Sequence, residues 1–200
     1  MHAAAARIGP NAITRVAEVL RAQRGEAAAA ALFRAAGLLR YLAEPPQAMV
    51  DEAEVAALHR VLHQQLGTAA AREVARRAGE RTADYLLAHR IPKPAQAVLK
   101  RLPAPLAARL LLKAIGGHAW TFAGSGQFSA TPGTPVVLEI RGNPMCRGLR
   151  LQAPGCDFYA ATFERLFRLL VHPASRAVET HCEACGDDCC RFELRWDRGA

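Results

Sequence analysis

Six cysteines are the residues of this sequence whose type and spacing are best suited to chemistry. All six lie between residues 146 and 190 of the 200-residue chain, and the first 145 residues contain none. In a reducing compartment, such clustering indicates metal or redox chemistry more than structural disulfides. The six are Cys146, Cys156, Cys182, Cys185, Cys189 and Cys190.

The alternation of the last strand indicates which of these cysteines face inward. Apolar residues follow Cys190 at every second position, and charged residues occupy the positions between them. Because successive side chains of a strand point to opposite faces, Cys190 is expected to point into the core and Cys189 away from it. Cys182 stands just before the tight turn Gly186-Asp187-Asp188, so it can approach Cys190 across the hairpin.

Two further residues can complete a metal shell with Cys182 and Cys190. Glu179 lies three residues before Cys182, and Cys156 directly precedes an apolar helix. Three thiolates and one carboxylate make a feasible tetrahedral zinc site, and a shell without an open position is structural. The predicted ligands of a structural Zn²⁺ are therefore Cys156, Glu179, Cys182 and Cys190.

Other ligand sets, and the absence of a metal, remain open at this point. Cys182 and Cys185 have the two-residue spacing of a zinc knuckle, and His181 could replace Glu179. Cys189 could also take part. Without a metal, the six residues would be ordinary buried or surface cysteines.

The first 117 residues show the periodicity and the stop signals of successive helices. Apolar residues recur at three- and four-residue spacing, and Gly25 and Gly116-Gly117 mark helix ends. His59 and His63 have the four-residue spacing of metal ligands on a helix, but no carboxylate motif lies near them. The two histidines are therefore interpreted as a polar helix face.

Strand periodicity begins after Gly117. Alternation predicts strands over Trp120–Phe122 and Val136–Ile140, and two more strands around the last turn. A helix with Tyr159 and Phe163 on its apolar face lies between the two pairs. Helices first and mostly antiparallel strands later make an α+β fold, with a helical N-terminal half packed on the sheet.

Composition and charge exclude several classes of protein. The chain has 51% hydrophobic residues and a net charge of +8, from 26 Lys and Arg against 18 Asp and Glu. These values exclude intrinsic disorder, and the most apolar stretch, Pro105 to Ile115, is too short to span a membrane. The amino terminus lacks the apolar core of a secretory signal, so a cytoplasmic location is expected. The positive charge suits an anionic partner, but scattered arginines and only 6% aromatic residues disfavour nucleic acid.

The cysteine spacing also carries a family resemblance. The string Glu179-x2-Cys182-x3-Gly186-x3-Cys190-x-Phe192, with Cys156 ahead of an aromatic helix, resembles the 4-vinyl reductase domain family. That domain also forms the sensor domains of phenol-responsive transcription activators. The resemblance implies an α+β fold related to subunits of the transport-particle tethering complex, which enclose an apolar ligand. It also implies zinc binding by the one glutamate and three cysteines of the motif; the other three cysteines are not part of it.

Segments outside this motif extend the resemblance over nearly the whole chain. The opening Ile8-Gly9-Pro10-Asn11-Ala12 and the segment Arg141-Gly142-Asn143-Pro144 are similar to the J family of bacteriochlorophyll-biosynthesis proteins, labelled bacteriochlorophyll 4-vinyl reductase. This resemblance implies one domain over 1–200, with helices in 1–67 available for dimerisation and a ligand- and zinc-binding part in 68–200. It also implies a homodimer that works with enzymes of the bacteriochlorophyll pathway, in the cytoplasm and peripheral to the photosynthetic membrane.

Sequence motifs for hydride transfer do not accompany the reductase label. Gly124-Ser125-Gly126 lacks the third glycine and the following helix of a dinucleotide fingerprint, and the cysteine spacing differs from that of common ferredoxins. We therefore expect a non-catalytic carrier or accessory protein that binds a Mg-porphyrin or chlorophyllide intermediate. The alternatives are a reductase of the 8-vinyl group (formerly numbered 4-vinyl) and a sensor or adaptor for a small aromatic molecule.

A bound tetrapyrrole would need aromatic walls, a basic rim for its carboxylates and an axial ligand for its magnesium. His118 is the candidate axial ligand. For each candidate the alternative is ordinary: core packing for the aromatic residues, a solvated strand face for the arginines and a solvent-facing position for His118. The candidate walls are Trp120, Phe122, Phe128, Tyr159 and Phe163, and the candidate rim residues are Arg141, Arg147 and Arg150.

Overall fold

The computed structural model describes residues 6–196 and contains eight α-helices in that range. None of these helices is long and apolar enough to cross a membrane. Gly25 interrupts the first helix with φ of 81° and ψ of 170°, so the predicted break lies inside one long kinked element. The helices are α1 Asn11–Ala35, α2 Arg40–Ala43, α3 Glu52–Leu66, α4 Thr68–His89, α5 Lys93–Arg101, α6 Ala104–Gly117, α7 Trp120–Ala123 and α8 Asp157–Leu170.

Most of the strands follow the first seven helices and form one antiparallel sheet. The strands are β1 Arg7–Ile8, β2 Val50–Asp51, β3 Gln127–Thr131, β4 Val136–Arg141, β5 Arg176–His181 and β6 Cys190–Arg195. β1 pairs with β2, and the last four strands lie in the order β3-β4-β6-β5. Alternate residues of β4 and β6 are buried, and Phe192 of β6 packs against Tyr159 and Phe163 of α8. The predicted α+β fold is confirmed.

Helix α4 packs directly on α8, and this contact fixes the amino end of α8. A Cβ atom at Gly79 would lie 2.2 Å from the carbonyl oxygen of Phe158, so the close approach of the two helices requires glycine there. Thr162 Oγ1 donates to the Gly79 carbonyl oxygen at 3.1 Å. Arg72 Nε lies 2.7 Å from Asp157 Oδ2 in an ion pair. The residue before α8 is therefore held in a defined position.

The strand predicted over Trp120–Phe122 is wrong, because this segment is the helical turn α7. The chain continues from α6 in successive tight turns, in which the N–H of Thr121 donates to the His118 carbonyl at 2.9 Å. The N–H of Ala123 donates to the Ala119 carbonyl at 2.8 Å. Alternation over three residues is too short to outweigh such local hydrogen bonds.

The interpretation of His59 as part of a polar helix face is also wrong. His59 is 5% exposed, and its ring meets Phe158 edge-on with 6.3 Å between the ring centroids. It lies four residues after Val55 and three before Leu62, which are both buried, so helical spacing places it on the same apolar stripe. Burial, with a smaller effect of His63, lowers the pKa of His59 to about 4 and keeps the ring neutral.

Candidate metal centre

Four buried cysteines bring their sulfur atoms together beside the amino end of α8. The Sγ atoms of Cys146, Cys156, Cys182 and Cys190 all lie within 4.8 Å of one another. Cys146 Sγ is 3.1 Å from Cys156 Sγ and 3.4 Å from Cys190 Sγ. A tetrahedral zinc with four thiolates at about 2.3 Å would set its sulfurs about 3.8 Å apart. This four-sulfur group therefore has the number, type and spacing of donors that a structural zinc site uses.

Four separate segments supply these cysteines. Cys146 ends a short 3-10 turn after β4, and Cys156 stands immediately before α8. Cys182 follows β5, and Cys190 is the first residue of β6. A metal bound here would cross-link the sheet to α8, which is the action of a structural site and not of an open catalytic one.

Asn143 supports the four-sulfur group from inside the protein. This residue is completely buried, and its Nδ2 donates to Cys156 Sγ at 3.3 Å and to Cys190 Sγ at 3.2 Å. Its Oδ1 accepts from the N–H of Met145 at 3.0 Å, and its own N–H donates to Glu183 Oε2 at 2.8 Å. Hydrogen-bond donors aimed at sulfur orient ligands and stabilise thiolates around a metal.

Glu179, which the sequence proposes as the fourth ligand, lies next to the four-sulfur group. Its Oε2 accepts from the backbone N–H of Cys156 at 2.7 Å, and its Oε1 is buried with no partner among the described residues. Burial, and then the charge of Cys182, raise the pKa of Glu179 to about 9. The structure places Cys146 at the fourth corner instead. Sequence reasoning left Cys146 aside because the domain motif does not include it.

Four thiols this close together in a buried site cannot all ionise without a cation. Hydrogen bonds from the Cys146, Cys156 and Cys190 thiols lower the pKa of Cys182. Hydrogen bonds with its sulfur neighbours, the one with Cys146 foremost, and burial raise the pKa of Cys156 well above its usual value. One thiolate is therefore favoured while the next is opposed, and a divalent cation would balance the charge of all four.

The remaining candidate donors lie outside the four-sulfur group. His181 and Cys185 are exposed. Cys189 is buried, but its sulfur is not among the four that converge. The zinc-knuckle spacing of Cys182 and Cys185 therefore does not correspond to a pair of converging sulfurs here.

Most of the candidate tetrapyrrole walls pack against one another as a single aromatic cluster. Phe122 and Phe128 lie 5.1 Å apart between ring centroids, and Phe163 lies 6.1 Å from Phe122. Tyr159 stacks on Phe163 at 6.2 Å, and its hydroxyl donates to the Phe122 carbonyl at 2.7 Å. Tyr159 and Phe163 are buried, whereas Phe122 and Phe128 are half-buried at the edge of the core.

The other candidate ligand residues lie at the surface. Trp120 is 62% exposed, and His118 is exposed with its Nδ1 2.8 Å from the Ala114 carbonyl oxygen. Arg141 and Arg150 are also exposed. Arg147 forms an ion pair with Glu52, whose carboxylate also accepts from Ser125. Burial alone would raise the pKa of Glu52, but the hydrogen bonds from Ser125 and Arg147 outweigh it and lower the pKa.

A polar cavity of about 370 Å³ lies between α4 and α8. Arg76 and Glu80 on one side form an ion pair, as do Glu164 and Arg168 on the other. This lining of both charge signs differs from the enclosed apolar pocket that the family resemblance implies. The aromatic residues expected to line such a pocket contact one another instead.

Comparisons with known proteins agree with this fold and site. Residues 136–196, which hold all four converging cysteines, match the family model of the 4-vinyl reductase domain. A solved H-NOX structure from a study of haem distortion has a TM-score of 0.62 at 12% identity, over 96% of this chain and 97% of that chain. Trafficking protein particle complex subunit 3 from Naegleria fowleri gives 0.54 at 12% identity, over 74% of this chain and 95% of that chain. The phenol-responsive sensory domain of the transcription activator PoxR, with phenol, gives 0.52 at 17% identity, over 74% of this chain and 75% of that chain. Fold and site thus define a protein with a 4-vinyl reductase domain.

Sequence relatives specify the family further. The "Bacteriochlorophyll synthase 23 kDa chain" of Cereibacter sphaeroides is 46% identical over 192 residues, which cover 96% of this chain and 92% of that protein. The chain of the same name in Rhodobacter capsulatus is 39% identical over 188 residues, 94% of this chain and 86% of that protein. This chain belongs to the family of bacteriochlorophyll synthase 23 kDa chains and is a protein of bacteriochlorophyll biosynthesis. The resemblance to this pathway is confirmed.

Proposed function

We propose that this chain is a non-catalytic tetrapyrrole-binding protein that holds a Mg-porphyrin or chlorophyllide intermediate for enzymes of bacteriochlorophyll biosynthesis. The observation that carries the proposal is that the pathway relatives and a fold that is known with haem cover the same 96% of the chain. A fold alone does not assign a function, but here the pathway independently supplies the class of ligand. The ligand would be a planar, largely apolar macrocycle with carboxylates at one edge.

The proposed binding site lies at the edge formed by α7 and β3. Phe122 and Phe128 close the outer end of the aromatic cluster there, with an edge-to-face contact. Because both are half-buried, they can separate at a lower cost than the fully buried rings behind them. A macrocycle inserted between them would contact Tyr159 and Phe163, while the exposed Trp120 would cover its outer part.

Polar residues around the same edge can serve the magnesium and the carboxylates. The Nδ1 of His118 is engaged by the Ala114 carbonyl, which directs the other ring nitrogen to an axial ligand position. Arg141 lies opposite Gln127 at the end of the β3–β4 pair, where an exposed guanidinium can pair with a ligand carboxylate. Arg147 would contribute only by leaving its ion pair with Glu52.

We also propose that the four-sulfur group binds a structural Zn²⁺. Its buried donors and their spacing support this assignment, and so does the opposition to more than one thiolate without a cation. Bound zinc would supply a cross-link between the sheet and α8. Cys156, Cys182 and Cys190 are common to both ligand sets, and the fourth ligand is Cys146 or, in the set taken from the sequence, Glu179.

Titration of the purified protein with Mg-protoporphyrin IX tests the proposed function. We expect a saturable shift and sharpening of the porphyrin Soret band. Phe128→Ala should weaken binding about tenfold, because it removes apolar contact area at the site. Tyr85→Ala, which removes a half-buried aromatic residue on α4, is the matched control and should bind as the unaltered protein does. A titration without saturation contradicts the proposal.

Two other functions would give different results. An 8-vinyl reductase would convert divinyl chlorophyllide to the monovinyl product when reduced nicotinamide or flavin is added. A sensor or adaptor for a small aromatic would bind a phenol and not the macrocycle; the likeness to the PoxR sensory domain favours this second alternative. Product formation in the first assay, or exclusive phenol binding in the second, would replace the carrier.

The proposed carrier acts in the cytoplasm, peripheral to the photosynthetic membrane, as a homodimer joined through helices of residues 1–67. The support for dimerisation is the family resemblance, and the exposed Leu39 between α1 and α2 is an apolar residue available for such a contact. The mass of the protein in solution, measured by light scattering, tests this part.

A further inference from the structure

One face of the molecule combines exposed apolar side chains with unpaired positive charges. This basic apolar face consists of Val98 on α5, Leu106, Arg109, Leu110 and Lys113 on α6, and Trp120 on α7. Leu106 is 48% exposed, Leu110 50%, Val98 54% and Trp120 62%. Four of the seven exposed large hydrophobic residues in the described part of the chain therefore belong to this face.

The helical phase of α6 places its apolar and basic residues on the same side. Leu106 and Leu110 are four residues apart, as are Arg109 and Lys113, so all four share one exposed face. The opposite side of α6 is buried through Ala107, Ala108, Leu111 and Leu112. The leucines thus lie among cations at the surface, although the helix already has a complete buried side.

The charge around this face is of one sign. Residues 85–138 contain no Asp or Glu, but they contain three arginines and all three lysines of the chain. Within residues 6–196 none of these six cations takes part in an ion pair, whereas arginines of α4 and α8 such as Arg76, Arg77 and Arg165 pair with carboxylates. The six are Arg90, Lys93, Lys100, Arg101, Arg109 and Lys113.

We propose that the basic apolar face binds the surface of a lipid bilayer that contains anionic lipids. Leucine and tryptophan side chains that enter the headgroup region, together with lysines and arginines that contact anionic headgroups, are the features of an interfacial helix. A second copy of the chain is a poor occupant, because it would bring like charges together. An acidic protein would match the charges, but it gives no reason for an exposed tryptophan beside two exposed leucines.

The proposal deepens the peripheral membrane location stated above and does not depend on pigment binding. Its test therefore uses protein and vesicles without any tetrapyrrole. Sedimentation with vesicles of phosphatidylcholine and phosphatidylglycerol in equal parts is compared with vesicles of phosphatidylcholine alone. We expect binding to the anionic vesicles that weakens with salt, and a blue shift of the Trp120 fluorescence in a Trp196→Phe background.

Matched variants separate this face from the overall charge of the protein. Arg109→Ser with Lys113→Ser should weaken vesicle binding about twentyfold, at about fivefold per cation. Arg24→Ser with Arg34→Ser removes the same charge from exposed, unpaired positions of α1 and should change binding less than twofold. Leu106→Ser with Leu110→Ser should abolish the fluorescence shift, whereas Val178→Ser, at an exposed apolar position on β5, should retain it.

Three outcomes would overturn the proposal. The first is equal binding to neutral and anionic vesicles, or none to either. The second is an equal loss in the α1 double variant, which would assign the binding to net charge alone. The third is capture of an acidic protein that depends on Arg109 and Lys113 while anionic vesicles are ignored. Each is distinct from a failed porphyrin titration, since no pigment is present.

Discussion

Two polar side chains fix the position of Cys156 in the four-sulfur group. Asn143 donates to its sulfur, and Glu179 accepts from its backbone N–H. Cys156 also directly precedes α8, so these bonds connect the sulfur group to the helix that carries Tyr159 and Phe163. The same geometry makes Glu179 a support for a ligand and leaves Cys146 as the residue closest to the other sulfurs.

The fourth zinc ligand is identified by comparing Cys146→Ser with Glu179→Gln. We expect about one zinc per chain in the unaltered protein, by elemental analysis after dialysis against a weak chelator. Cys146→Ser should lose zinc, whereas Glu179→Gln should retain it, because the amide oxygen can still accept from Cys156. Cys185→Ser, at an exposed thiol, is the control and should leave the zinc unchanged. Zinc lost from Glu179→Gln and kept by Cys146→Ser would establish the carboxylate as the ligand.

His59 predicts a specific pH dependence of stability. Its pKa is about 4 in the folded protein, below the usual value of about 6.5, so the unfolded state binds more protons between these values. The free energy of unfolding should therefore fall as the pH drops, by about 2 kcal/mol at pH 5 from this residue.

Denaturant unfolding of His59→Leu at pH 7.5 and pH 5 measures this contribution. The variant should lose that part of the pH dependence, while His89→Leu, at an exposed position, should keep it. Because loss of zinc at low pH affects all three proteins, the difference between them isolates His59. Equal pH dependence in His59→Leu and the unaltered protein would show that burial does not suppress ionisation there.

At the scale of elements, the contact between α4 and α8 positions both the sulfur group and the aromatic cluster. Gly79→Ala would place a methyl group against the Phe158 carbonyl and should cost about 2–3 kcal/mol of unfolding free energy. Gly116→Ala in α6 has open space at that position and should instead be neutral or stabilising by up to about 1 kcal/mol. Equal unfolding midpoints in a denaturant titration would contradict the close packing of the two helices.

Long periodic segments could be predicted from the sequence, and short or cooperative ones could not. The alternation around Val136–Ile140 and from Cys190 onward corresponds to β4 and β6, because six-residue strands with one buried face leave a clear period. The α7 turn was missed because its hydrogen bonds are local and its alternation spans three residues. Cys146 was missed because its place in the group depends on the turn after β4, which no periodicity describes.

At the scale of the whole molecule, the charges divide into two regions. Arginines on α4 and α8 are neutralised by neighbouring carboxylates, while the cations of α5 and α6 are unpaired within residues 6–196. The basic apolar face leads through Trp120 of α7 to Phe122 and Phe128, where the proposed tetrapyrrole site lies. A carrier arranged in this way could receive an apolar pigment at a membrane surface and hold it beside the same surface.

The central claim is that the protein binds a pathway pigment and leaves it chemically intact. The most direct measurement is to incubate the zinc-loaded protein with divinyl chlorophyllide and reduced nicotinamide, isolate the complex by gel filtration, and extract the pigment for chromatography. The account predicts a saturable complex from which the divinyl compound is recovered unchanged. Recovery of the monovinyl product, or elution of the protein free of pigment, would contradict it.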